Sequence, residues 1–120
     1  MKRMLIAAAA AAAAAAFTLP AVATAQAPRR AQCVISAGGE TYRGPCRFLA
    51  ERGGSFSVSP VGRRFLVEGV TDVSVSVLRP GVADVRGLTA DGINSRWGGA
   101  VRSRRDRACW LGEDFSVCAY

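Results

Sequence analysis

The 120-residue chain contains no histidine, and its one lysine is Lys2. Without these residues the Ser-His, Cys-His and Schiff-base routes to covalent catalysis are closed. Nine acidic residues remain. They are scattered, and no two sit in a recognisable carboxylate-pair motif of the glycosidase kind. The chain therefore reads as a non-enzyme. No C-x-x-C pair is present, which excludes the usual zinc and redox spacings, and no cofactor motif appears. Beyond residue 25 no apolar stretch is long enough to cross a membrane, and none repeats at the 3.6-residue period of an amphipathic helix.

What is present begins with an export signal. Lys2 and Arg3 precede an apolar run from Leu5 to Leu19, and "AVATAQA" supplies the small residues that a signal peptidase needs. Cleavage is expected after Ala25, with Ala27 as the other cut that fits, and leaves no transmembrane anchor. Residues 1–25 are thus a signal peptide, 26–32 a short flexible lead, and 33–120 a single domain in the periplasm or outside the cell. Removing Lys2 and Arg3 from the 16 basic residues leaves 14, all arginine, against 9 acids, a net charge of +5.

Cys33, Cys46, Cys109 and Cys118 are an even set in a short exported chain, which predicts two disulfides. Hairpin geometry selects the pairs. In "CVISAGGETYRGPC" a two-residue turn at Gly39 and Glu40 sets Cys33 opposite Cys46. In "CWLGEDFSVC" a turn at Glu113 and Asp114 sets Cys109 opposite Cys118.

Between these clasps the pattern is β. "SFSVSPV" and "TDVSVSVL" alternate strictly, with Phe56, Val58, Val73, Val75 and Val77 on the apolar face. "RFLVEGV" offers another strand over residues 65–70. Turn residues recur every 8 to 12 positions. Seven or eight short strands imply an all-β antiparallel barrel or sandwich, and closure without edges favours the barrel. The double glycines at 38, 53 and 98 precede no helix, so they read as turns or bulges rather than phosphate loops.

A three-residue loop at Ala90, Asp91 and Gly92 pairs Thr89 with Ile93 and Val85 with Trp97. It turns Trp97 inward with Ile93 and Val101, and sets Asn94, Arg96 and Arg102 outward beside Arg86. Tyr42, Trp110 and Tyr120 flank the clasps as packing residues. The candidate binding residues are Asn94, Arg96, Arg102, Arg104, Arg105 and Arg107. They suit an anionic partner: an envelope glycan or lipid, or an acidic protein. Nucleic acid fits less well, because no exposed aromatics accompany the arginines. The same cluster could equally be a solvated loop.

The motifs "YRGPCRF", "GGSFSV" and "ACW" followed by "CAY" resemble a family of small exported proteobacterial proteins with a Cys-bounded hairpin at each end. That resemblance implies export and fold. "GGETY" and "WGGAV" more distantly resemble elements of the small β-barrel inhibitors of c-type lysozyme. Gly38 stands where those proteins have serine and their lysine is missing, so their site residues are not carried over. An inhibitor of a lysozyme-type hydrolase is the alternative function.

Overall fold

The structure, a computed structural model, describes residues 9–19 and 27–120. The cleavage positions lie partly outside them. Eight antiparallel strands form one closed up-and-down barrel. They are β1 (Arg29–Ala37), β2 (Glu40–Ala50), β3 (Phe56–Pro60), β4 (Val70–Arg79), β5 (Val82–Thr89), β6 (Asn94–Arg102), β7 (Cys109–Leu111) and β8 (Phe115–Ala119), with a 3-10 turn at Arg52–Gly54. Strand β1 begins inside the stretch expected to be a flexible lead, because Arg29 to Gln32 already pair with Phe48 to Pro45. Pairing of β1 with β8, from Cys33 with Ala119 to Ala37 with Phe115, closes the wall.

Alternation decides which residues fill the interior. Ile35, Val58, Val73, Val75, Val85 and Val117 are all fully buried. They come from five strands and pack a small barrel solid, as side chains do when eight strands close.

Both disulfides form as expected, Cys33 with Cys46 and Cys109 with Cys118. The second hairpin has the expected register, with Cys109 directly opposite Cys118 and Cα atoms 4.0 Å apart. The first does not. Its turn is Gly38–Gly39, both at positive φ (59° and 80°), so Cys33 faces Gly44 and Cys46 faces Ala31. A type I′ turn needs positive φ at both central residues, and only the Gly-Gly pair provides it at no cost. The two-residue shift keeps every side chain on its face, so Cys33 and Cys46 still meet, diagonally, inside the barrel with Cα atoms 5.8 Å apart.

Two other expectations are corrected. Residues 65–70 form no strand before Val70. Leu66 and Val67 are both buried, and Glu68 and Gly69 turn left-handed (φ 52° and 70°) to bring the chain into β4. Two consecutive buried side chains cannot belong to one face of a strand; the loop plugs this end of the barrel instead. In β6 the loop at 90–92 pairs Thr89 with Ile93 as expected, but a bulge after Arg96 sets Val85 opposite Gly98 rather than Trp97. Beyond the bulge the faces exchange: Ala100 is buried, while Val101 is 55% exposed. Trp97 is half-buried and meets Phe115 edge-on at 5.7 Å; Val101, beyond the bulge, lies on the other face, and Ile93, just before β6, is 59% exposed.

Gly98 makes that bulge possible, since its φ of 135° is one that side-chain-bearing residues rarely adopt. Gly98→Ala is expected to lower unfolding stability by about 1–3 kcal/mol. A denaturant midpoint equal to that of the parent would contradict the bulge.

Candidate functional site

In an up-and-down barrel alternate loops gather at the same end. One end collects the start of β1, the β2–β3, β4–β5 and β6–β7 loops, and the end of β8. Arg29 and Arg30 open β1, Arg52 lies in the β2–β3 turn, Arg79 closes β4, and Arg102, Arg104, Arg105 and Arg107 surround the β6–β7 loop. Against these stand two acids, Glu51 and Asp106. The opposite end has the reverse balance, with Glu40, Glu68, Asp91, Glu113 and Asp114 against Arg63 and Arg64. The barrel is electrically polarised along its axis.

The mouth of the basic end has an aromatic floor. Trp110 pairs with Arg102 across β6 and β7 and with buried Val117 across β7 and β8. All three therefore point inward, and Trp110 is 4% exposed. The Arg102 guanidinium lies over the Trp110 ring, 5.6 Å from its centroid. Across the mouth Arg29 lies 4.6 Å over Phe48, which stacks on Phe56 at 4.9 Å. Stacking occupies the face of a guanidinium and leaves its in-plane N–H donors free for an anion. A cavity of about 330 Å³ opens above Trp110, bordered by Gly54, Val77, Pro80, Arg102, Arg104 and Arg107.

The loop carrying these arginines is held by its own polar atoms. Ser103 Oγ accepts from the backbone N–H groups of Arg105 and Asp106. Asp106 accepts from the Ala108 N–H and from the Tyr120 hydroxyl, and Arg102 Nε donates to the Arg107 carbonyl at 2.8 Å. Asp106 thus orders the loop and makes no ion pair. Among the described residues the ion pairs are those of Asp84 with Arg96 (2.7 Å) and with Arg86 (3.9 Å), on the barrel wall. Among the described residues no arginine of the basic end has a carboxylate within that range.

The hydrogen bond to Asp106 pushes the Tyr120 phenol above its ordinary value near 10. A raised folded value favours the native state fully below the ordinary value, and that contribution is lost as the pH rises through the folded one. The stability difference between the parent and Tyr120→Phe should therefore be largest at neutral pH and shrink in alkali above about pH 10. A difference that does not change across that range would contradict the pairing. Tyr120 itself is 58% exposed and serves as a loop latch, not as the packing residue expected from its place beside the clasp.

The six candidate residues do not form one site. Arg102, Arg104, Arg105 and Arg107 come together at the basic end. Asn94 pairs with Leu88 near the acidic end, and Arg96 is held by Asp84 midway along the wall. The bulge separates them: it turns Arg102 from the outer face, where Arg96 lies, to the inner side of the mouth. The sequence reading missed Arg29, Arg52, Arg79 and the Trp110 floor. Sorting the arginines by loop parity would have found the first three.

Fold and site together define a disulfide-stapled eight-stranded barrel with a basic, aromatic-floored mouth. The two disulfides fit an oxidising compartment, and among the described residues no helix is long and apolar enough to cross a membrane. Comparison with family models, curated proteins and solved structures finds no match.

Proposed function

We propose that this chain is an exported, non-enzymatic binding protein of the periplasm or the cell exterior, and that it captures an anionic cell-envelope component at its basic mouth. One observation supports this above the rest: Arg102, Arg104 and Arg107 from the β6–β7 segment and Arg29 from the start of β1 gather around Trp110, with no carboxylate in ion-pair range among the described residues. Clustered positive charge that is left unpaired costs self-repulsion, which a bound anion relieves. Planar guanidiniums suit carboxylate and phosphate oxygens in particular. The test is to immobilise the protein and pass its own envelope fraction over it. Retention of anionic glycan or lipid, released by salt, is the expected result; retention of uncharged material only would overturn the proposal.

The alternative, inhibition of a lysozyme-type hydrolase, draws on a different observation. Gly38 and Trp97, from the two sequence elements that resemble those inhibitors, line one depression of about 240 Å³ at the acidic end, together with Glu68, Asp114 and Arg96. A lysozyme assay with excess protein decides it. Full activity of every lysozyme class would remove this reading.

A further inference from the structure

The outer wall beside the basic mouth carries apolar side chains that no part of the barrel covers. Val82 pairs with Val101, and Val101 with Leu111, so the three follow one another across β5, β6 and β7 on the outward face. Val101 is 55% and Leu111 42% exposed. Leu78, at the bulge where β4 pairs with the start of β5, is 66% exposed. Turn residues Pro80 and Gly81 join Val101 and Leu111 in a depression of about 620 Å³ whose rim is Arg102, Arg104 and Arg105. Scattered exposed leucines are ordinary. A row of them bordered by unpaired arginines is amphipathic in the sense of an interfacial segment, with apolar groups where acyl chains begin and cations at the level of the headgroups.

We propose that the anionic component is a lipid bilayer surface, on which the barrel docks with Leu78, Val101 and Leu111 entering the interface and Arg79, Arg104 and Arg105 against the lipid phosphates. This deepens the proposed function and rests on it. A soluble glycan would use the arginines and leave the apolar row in water, whereas a bilayer uses both. The charge polarity orients the approach, since the acidic end is repelled by the surface that attracts the basic end.

The test is co-sedimentation of the disulfide-bonded protein with vesicles of phosphatidylcholine alone or mixed with phosphatidylglycerol. Binding to the mixed vesicles only is expected. Leu78→Ser with Leu111→Ser should weaken it about tenfold, as expected when two half-exposed leucines lose a place in the interface. Arg104→Ser with Arg105→Ser should weaken it by a similar factor at low salt and by less at high salt, where screening already dominates. As a second readout, Leu111→Trp should give emission quenched by lipid brominated in its acyl chains, above the quenching seen in the parent. Unchanged binding by the leucine variant together with no added quenching would overturn the bilayer proposal and leave anion capture standing. Unchanged binding by the arginine variant would overturn both, and equal retention on a soluble anionic glycan by the parent and the leucine variant would assign the mouth to glycan.

Discussion

Replacing Cys33 and Cys46 together with alanine should cost about 3–5 kcal/mol of unfolding stability, while the same change at Cys109 and Cys118 costs about 2–3 kcal/mol. Loop closure alone predicts nearly equal effects, because the sequence separations are 13 and 9 and each bridge of that span stabilises by roughly 2.5–3 kcal/mol. Location makes the difference. Cys33 and Cys46 are fully buried in the barrel interior, so removing both sulfurs also leaves a void that the rigid wall fills poorly. Domains of this size have about 5–15 kcal/mol in all, and the first variant would lose a large part of it. Guanidinium unfolding curves with unchanged slopes measure both effects; a larger loss at Cys109 and Cys118 would contradict the burial argument.

The second bridge matters more locally. Strand β7 has three residues and joins β6 through two pairs, Val101 with Leu111 and Arg102 with Trp110. That seam is the thinnest in the barrel, and Cys109–Cys118 anchors its far side to β8. The Cys109 and Cys118 variant should therefore raise amide exchange in β7 and in residues 103–108 before any global unfolding, and with it loosen the floor of the proposed site.

Arg102→Ser, Arg104→Ser and Arg107→Ser combined should weaken capture of an anionic lipid or glycan by about a hundredfold at low salt. Roughly 1 kcal/mol for each solvent-screened, charge-assisted contact gives about 3 kcal/mol in all. All three side chains are exposed, and although the bond from Arg102 to the Arg107 carbonyl is lost, the hydrogen bonds of Ser103 and Asp106 still hold the loop, so the barrel should fold. Arg63→Ser with Arg64→Ser, at the acidic end, is the control, removes two charges instead of three, and should leave binding intact. Equal losses in the two variants would mean that net charge acts without a site.

Much of this barrel is legible in the residues, and the gaps have definite causes. Alternation in "SFSVSPV" and "TDVSVSVL" is a period-two signal that burial on one face imposes, and Phe56, Val58, Val73, Val75 and Val77 all pack into the core, while Leu78, where the register shifts, is exposed. The cysteine pairs follow from hairpin counting even where the turn was misplaced, because a shift of two residues preserves the faces. A bulge is different. Inserting one residue at Trp97 exchanges inside and outside for the rest of β6, so Arg102 was assigned to the wrong side although Trp97-Gly98-Gly99 is in plain view. The site was legible only as a local run of arginines, since Arg29, Arg52 and Arg79 join it through strand direction rather than proximity in sequence.

The two tryptophans stand at opposite ends of the barrel, Trp110 under the basic mouth and Trp97 beside the depression at the acidic end. Their indole N–H resonances, followed by NMR as phosphatidylglycerol micelles are titrated into the protein, test the central claim most directly. A saturable shift of the Trp110 signal is expected, accompanied by the amides of Gly81, Ser103 and Arg104, while Trp97 stays in place. Movement of Trp97 with Trp110 unchanged, or of neither, would contradict it.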